Sequence, residues 1–307
     1  MSKSNTQFTQ VESDILRTIL YFDIFSHPLR LEELYRFLPS NSTTSEAIYQ
    51  LCISARLNTL LQTRNGFVQL AERPDLTKRR AAGERNARRE FRRARWVAAF
   101  IQRIPFVRGV FLSGELSKGV ASGHADLDFV IVTSEGRLWI VRTILVIFKR
   151  IAFLGSKRFL CLNHFVAEGH LRHHVQNRYT AIEIATLRPL DSPGMLSHYL
   201  RENHWVAEYL PNSSDLFSTL DAAPAHSRLQ SFLERVAEFF PLSRVDFFLM
   251  RIWKKIWIQR YPHLSEEQRD RQFCCKPYLS TAYGSDQMIR ILSEYEARLS
   301  HYLPFPA

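Results

Sequence analysis

The 307-residue chain is long enough for two or three domains, and its 46% hydrophobic content excludes wholesale disorder. Its 41 Lys and Arg residues outnumber 30 Asp and Glu residues, and the resulting net charge of +11 favours polyanionic partners such as nucleic acid, nucleotides or an anionic membrane surface. The four cysteines show no paired metal spacing, no apolar run is long enough to span a bilayer, and residues 1–10 lack the apolar core of a signal peptide. A cytoplasmic protein without a transmembrane segment is therefore expected.

Residues 10–72 are predicted to form a compact unit of helices and a hairpin. Apolar residues at helical spacing predict helices over residues 11–25 and 31–38, and the capping run Ser42-Thr43-Thr44 predicts a third helix that runs to about Leu61. Asn65-Gly66 between β-prone flanks then predicts a hairpin. Three helices followed by a hairpin resemble a winged helix, whose third helix can bind nucleic acid. Because that helix offers only Arg56 as a base, the sequence favours packing or protein contact over DNA binding.

Residues 75–102 form the most charged segment and predict a basic connecting helix. One face carries an apolar stripe made of Ala87, Phe91, Ala94, Ala98 and Ile101. The opposite face carries arginines at positions Arg85, Arg88, Arg89, Arg92 and Arg93. Two interpretations stay open: a face that binds RNA or DNA and delivers it to the neighbouring core, or a solvated linker between domains.

The segment 107–133 contains the residues with the strongest chemical signal. A β-type run ends in Ser113-Gly114, and Asp126-Leu127-Asp128 leads into a second apolar run. Side chains two apart on a strand point the same way, so Asp126 and Asp128 are expected on one face, where a divalent cation would relieve their repulsion. Gly114 permits a tight turn before a short helix whose free N–H groups can receive a phosphate. A phosphate cradle beside a carboxylate pair suits phosphoryl or nucleotidyl transfer.

This segment resembles the signature of the DNA-polymerase-beta-like nucleotidyltransferase superfamily, and the resemblance covers about residues 105–190. In that superfamily a hydrophobic strand ends in Gly-Ser or Gly-Gly and an Asp-x-Asp strand follows, as Gly114 and Asp126 do here; Ser117-Lys118-Gly119 fits a small-x-Gly pattern. The resemblance implies transfer of a nucleoside monophosphate from a nucleoside triphosphate to an acceptor hydroxyl. It also implies Mg²⁺ or Mn²⁺ on Asp126 and Asp128, with Ser113, Gly114 and Lys118 at the phosphates.

Two positions differ from the pattern of that superfamily. Glu115 stands where Ser or Gly is usual, and a carboxylate there repels a triphosphate unless it turns away. The strand predicted at 159–165 offers Asn163 as a third ligand, whose amide oxygen can bind Mg²⁺ without adding charge, and Glu183 is an alternative third carboxylate. Glu115 and Asn163 keep open a non-catalytic sensor or regulator that retains the fold and binds nucleotide or nucleic acid.

The predicted fold class is α+β, with a mixed α/β core over 103–212 and a helical C-terminal region over 226–304. The histidines at 170, 173 and 174 lack a fixed scaffold and are expected to be exposed rather than metal ligands. Residues 215–225 look like a linker. The Trp and Ile residues within 245–261 can lie on a membrane surface, but burial against neighbouring helices is the favoured interpretation.

Overall fold

The protein folds into an α+β structure with two sheets, which confirms the predicted α+β class. The structure, a computed structural model, describes residues 8–123, 126–156, 158–190, 193–213 and 228–303. The helices are α1 (Gln10–Asp23), α2 (Leu31–Arg36), α3 (Ser45–Cys52), α4 (Thr77–Gln102), α5 (Gly114–Ser117), α6 (Leu138–Phe153), α7 (Arg178–Ala185), α8 (Pro193–Glu202), α9 (Val206–Tyr209), α10 (Arg228–Ala237), α11 (Leu242–Arg260), α12 (Glu266–Gln272) and α13 (Gln287–Tyr302). The strands are β1 (Leu29–Arg30), β2 (Leu61–Arg64), β3 (Phe67–Leu70), β4 (Val107–Leu112), β5 (Asp128–Thr133), β6 (Cys161–Ala167), β7 (Arg188–Pro189), β8 (Cys275–Lys276) and β9 (Leu279–Thr281).

The N-terminal unit contains α1 to α3 and a small antiparallel sheet of order β1-β3-β2. The predicted hairpin is confirmed, since β2 pairs with β3 around Asn65 and Gly66, both with positive φ. The third helix is shorter than predicted and ends at Cys52. Beyond it the Ser54 hydroxyl accepts the Leu57 N–H at 3.5 Å, and such side-chain bonds compete with helix continuation. Arg56 therefore lies outside the helix, where it pairs with Glu12 at 2.9 Å.

The larger sheet has the strand order β7-β4-β5-β6-β9-β8. β4 and β5 are antiparallel, while β5 and β6 are parallel and are connected through α6. The prediction of a wholly helical C-terminal region is wrong, because β9 pairs antiparallel with β6 from His164 to Val166, and β8 extends the sheet. β9 covers an edge of β6 that would otherwise leave backbone groups unpaired.

The larger sheet separates two hydrophobic cores. The side chains that face the N-terminal unit, α7 to α9 and α13 are Phe111, Val130, Val132 and Val166. The side chains that face α4 and α6 include Val110, Leu112, Phe129 and Ile131. This alternation follows the two-residue period of a strand. The N-terminal unit consequently shares its core with the sheet, and α13 packs on α1, where Arg298 and Arg73 both bind Asp23.

α4 forms as predicted and runs past one side of the larger sheet. The buried positions of its apolar stripe are Ala87, Ala94, Ala98 and Ile101. Its arginines at 85, 88, 89 and 92 are exposed, while Arg93 pairs with Glu90. The position of α4 brings the basic segment to the edge of the α/β core, where it also lines the cleft described below.

α11 packs against α6 through one face. The Asp246 carboxylate accepts the Ile140 N–H at 2.9 Å, and the Trp253 indole donates to the Thr143 hydroxyl at 3.0 Å. Burial of the whole Trp and Ile stripe was expected, and this is wrong in part: Trp257 is buried, whereas the isoleucines at 252, 256 and 258 are exposed. The predicted linker at 215–225 lies outside the described residues. Within the described ranges, no helix combines the length and hydrophobicity needed to cross a bilayer.

Candidate functional site

The glycine bend after β4 touches the start of β5. The Ser113 N–H donates to the Asp128 carbonyl at 3.0 Å, which fixes the two strand ends to each other. Gly114 follows with φ +71°, and a Cβ atom at this position would lie 2.6 Å from Asp128 Oδ2. Any side chain would therefore be strained by its backbone and would also displace the carboxylate. The chain thus places a glycine backbone directly against Asp128.

Asp126 and Asp128 occupy different kinds of backbone. Asp128 is the first residue of β5, whereas Asp126 precedes the strand, so the strand begins two residues later than predicted. The ladder with β6 begins only at Asp128 and Cys161 and is irregular immediately afterwards. A strand pattern in the sequence therefore extends two residues too far. The residues 124 and 125, just before Asp126, lie outside the described residues.

The Asp128 carboxyl has an unusual electrostatic environment. Its pKa is raised to about 6: burial is the largest cause and the charges of Asp126 and Glu183 act in the same direction, while a hydrogen bond from Cys161 and the charge of Lys118 act against them. Such crowding of negative charge is the condition under which a bound cation is most favourable. Sequence reasoning missed Cys161, since its thiol gave no metal or catalytic spacing.

Asn163 and Glu183 both reach this cluster. The Asn163 amide on β6 donates to Asp128 Oδ1 at 3.2 Å. Glu183 on α7 pairs with Lys118 Nζ at 2.8 Å, and the same ammonium lies 3.3 Å from the Gly114 carbonyl. The structure therefore brings Asn163, Glu183 and Lys118 to the glycine bend, with much of the Glu183 charge compensated by Lys118.

The other side chains around α5 are held by backbone contacts. Glu115 is exposed, and its carboxylate accepts the Ser122 N–H at 3.0 Å, so it is committed to the following loop. The Ser117 hydroxyl donates to the Gly114 carbonyl at 2.9 Å, and Arg188 Nε donates to the Ser117 carbonyl at 2.6 Å. Arg188 was not identified from the sequence, because it comes from a two-residue strand far along the chain.

A cleft of about 530 Å³ opens beside α5, between the N-terminal unit and α4. Its walls are formed by Arg30, Glu33, Arg80, Glu84, Ala87, Arg88, Phe91, Leu116, Lys118, Gly119 and Arg188. Arg30 binds both oxygens of Glu84, and Arg80 binds Glu33 at 2.6 Å. Among the described residues, Arg88 and Arg188 form no ion pair with a carboxylate. The cleft therefore presents uncompensated positive charge near the glycine bend.

The donor atoms at this site suit a hard divalent cation. Asp126 and Asp128 supply carboxylate oxygens and Asn163 an amide oxygen, which is a small set of the kind that binds Mg²⁺ together with several waters. No group of three His, Cys, Asp or Glu side chains arranged around a common metal position is found in the part of the chain that the structure describes.

The three histidines after β6 differ in their surroundings. His170 and His174 are exposed, as predicted. The expectation is wrong for His173, whose ring stacks on His164 and hydrogen-bonds the Tyr199 hydroxyl, because the loop folds back onto the sheet. Burial lowers the pKa of His173 to about 4 and that of His164 to about 3, so both rings are neutral near pH 7.

Comparisons with known protein families, with curated proteins and with solved structures return no match for this chain. What the site does must therefore be inferred from its own chemistry. That chemistry combines a glycine bend, two neighbouring aspartates, a lysine and a basic cleft within one corner of the larger sheet.

Proposed function

We propose that this chain is a metal-dependent nucleotidyltransferase, which moves a nucleoside monophosphate from a nucleoside triphosphate to an acceptor hydroxyl. The observation that supports this most is the contact between Gly114 and Asp128, with Asp126 close enough to raise the pKa of Asp128. Asp126 and Asp128 would hold Mg²⁺ or Mn²⁺, with the Asn163 amide oxygen as a further ligand. When bound, the metal neutralises phosphate charge and promotes ionisation of the attacking hydroxyl.

The backbone at the glycine bend would bind the phosphates of the triphosphate. α5 has only four residues, so its first N–H groups lack acceptors within the helix and can donate to phosphate oxygens. Gly114 lets a phosphate approach the backbone without a side chain in the way. Lys118 Nζ, 3.3 Å from the Gly114 carbonyl, adds a positive charge on the same side, and Ser113 would contribute its hydroxyl.

Asp128 is also suited to receive the proton of the acceptor hydroxyl. One of its carboxylate oxygens would receive that proton, while the bound metal promotes ionisation of the hydroxyl. The Asn163 amide donates to Oδ1 and orients the carboxylate. Glu115 does not oppose a triphosphate directly, because its carboxylate is bonded to the Ser122 N–H.

The acceptor would enter through the basic cleft. Arg88 on α4 and Arg188 beside α5 supply positive charge on its walls, which suits a phosphate-bearing acceptor such as RNA or DNA. The exposed arginines at positions 85, 89 and 92 continue along the same helix. We further infer that the N-terminal unit is winged-helix-like, which its three helices and hairpin support.

Pyrophosphate release tests the proposal. With Mg²⁺ and a panel of nucleoside triphosphates and acceptors, we expect release from the wild-type chain and none from Asp126→Asn or Asp128→Asn. Glu115→Gln is a matched control in the same segment and should retain release, since that carboxylate contacts only the neighbouring loop. Circular dichroism of each variant establishes that the fold persists. Equal release by wild type and Asp128→Asn would refute the proposal.

A second candidate is a non-catalytic sensor or regulator that binds nucleotide or nucleic acid through the same site. It is favoured by the ion pair between Lys118 and Glu183, because Lys118 neutralises the Glu183 carboxylate. Only the two aspartates then offer negative charge to a metal, which is less than a site for two metal ions uses. The two candidates separate in one experiment. A sensor binds a nucleoside triphosphate with Mn²⁺ and releases no pyrophosphate with any acceptor.

A further inference from the structure

A broad surface of α6 and α11 is left uncovered by the rest of the described chain. The two helices are joined by the Asp246–Ile140 and Trp253–Thr143 hydrogen bonds, so they lie side by side. α6 buries its other face in the sheet, where Leu145 belongs to the core. What remains of each helix faces solvent and differs sharply from an ordinary charged surface.

Apolar side chains follow the exposed side of both helices in rows. On α11 the row consists of Val245, Phe248, Ile252 and Ile256, spaced three or four residues apart. On α6 the row consists of Ile144, Ile147, Ile151 and Leu154, the last just beyond the helix. Phe239 and Phe240, immediately before α11, are 88% and 61% exposed. Single exposed apolar residues are common, but rows on two packed helices mark an interaction surface.

The same helices are almost purely cationic. The exposed charged residues of α11 are Arg244, Arg251, Lys254, Lys255 and Arg260. The one acidic residue of α11, Asp246, is buried against the Ile140 N–H. The sequence of α6 contains no acidic residue at all. The surface therefore offers apolar and positively charged groups together, and its complement must be apolar and negatively charged.

Charge decides among the occupants of such a surface. A second copy of the chain across a two-fold axis would bring the cations of one α11 onto those of the other, which is unfavourable. A nucleic acid would neutralise the cations but would leave the Phe and Ile rows in water. In an anionic membrane surface, the lipid headgroups pair with Lys and Arg, and the boundary of the acyl chains takes up apolar side chains. This partner therefore matches both the cations and the apolar rows of the surface.

We propose that α6, α11 and the Phe239–Phe240 turn form a peripheral docking face for an anionic lipid surface. The helices lie in the interface with Phe248 and Ile252 in the acyl boundary and with Arg251 and Lys255, which border the same row, among the headgroups. Such binding needs no membrane-spanning helix, and none of the described helices is long and apolar enough to be one. It is independent of the proposed transferase activity and concerns the opposite side of α6 from the sheet.

Cosedimentation of the full chain with vesicles tests this docking. Vesicles of phosphatidylcholine alone are compared with vesicles that also contain phosphatidylglycerol, over a range of NaCl concentrations. We expect binding to the mixed vesicles at low salt and loss of binding as salt screens the cations. Arg251→Ala with Lys255→Ala should weaken partitioning about thirtyfold, since each surface cation contributes about 1 kcal/mol. Phe248→Ser with Ile252→Ser should weaken it at every salt concentration.

A matched control uses the other basic helix. Arg85→Ala with Arg92→Ala removes the same charge from α4 and should leave vesicle binding unchanged. The proposal is overturned if wild type ignores the mixed vesicles at low salt, or if the α4 variant loses as much binding as the α11 variant. It is also overturned if sedimentation reveals a dimer that Phe248→Ser with Ile252→Ser dissociates, because the face is then covered by a second copy.

Discussion

Gly114→Ala should be far more damaging than alanine at another glycine of similar conformation. Gly66 provides the comparison, since its φ of +77° matches the +71° of Gly114, but a Cβ at Gly66 has no neighbour within 4 Å. The positive φ costs alanine about 1–2 kcal/mol at either position. At Gly114 the Cβ would also meet Asp128 Oδ2 at 2.6 Å, and moving that side chain off its rotamer adds about 1 kcal/mol. We therefore expect a loss of about 2–3 kcal/mol for Gly114→Ala and about 1–2 kcal/mol for Gly66→Ala.

Urea unfolding of a mutant cycle measures this difference. Asp128→Ala removes the carboxylate oxygen that the new Cβ would meet, so in that background Gly114→Ala should cost no more than Gly66→Ala does. The slope of free energy against urea should stay constant across the variants, which establishes that only stability has changed. Equal costs at Gly114 and Gly66 in the wild-type background would refute the close contact between the glycine bend and Asp128.

Three further predictions concern pH, packing and charge. Burial lowers the pKa of His164 to about 3, so its stabilising neutral form is fully present above pH 6.5 and its contribution is lost as pH falls; between pH 7 and pH 5 we expect a loss of about 2 kcal/mol. The raised pKa of Asp128 changes stability with pH in the opposite direction. Both the wild type and His164→Gln contain Asp128, so the difference between their curves of unfolding free energy against pH isolates His164. Identical curves would contradict the prediction. Asp23→Ala leaves Arg73 and Arg298 without their shared carboxylate and should lower the free energy of unfolding by about 3 kcal/mol in urea titrations, and a loss below about 1 kcal/mol would contradict it. If α4 binds single-stranded RNA, replacing the exposed arginines Arg85, Arg89 and Arg92 with alanine should reduce the slope of log affinity against log salt concentration by about 2. An unchanged slope would rule out this face as the RNA-binding surface.

Local signals in the sequence predicted the elements that depend on neighbouring residues. The Asn65-Gly66 hairpin follows from the need for positive φ at both turn positions. The long α4 follows from an apolar stripe at helical spacing, and its core positions are buried as that spacing requires. The turn at Gly114 was predicted for the same kind of reason, because a glycine between a strand and a short helix indicates a backbone conformation that other residues adopt only with strain.

Features that depend on distant residues could not be read in the same way. β9 has three residues, too few to show an alternating pattern, and it exists because the edge of β6 needs a partner. Glu183 and Lys118 form their ion pair across 65 positions of the chain. Similarly, nothing near Ile252 or Ile256 reveals that only the tryptophan face of α11 meets α6. Pairwise burial of this kind is decided by packing, not by periodicity.

Crystals soaked with Mn²⁺ and a non-hydrolysable nucleoside triphosphate would test the transferase site most directly through anomalous scattering. We expect a manganese peak in contact with both Asp126 and Asp128, with the triphosphate lying against the backbone of Gly114. A triphosphate bound elsewhere, or an Asp126–Asp128 pair that stays free of manganese at saturating nucleotide, would contradict the proposed function.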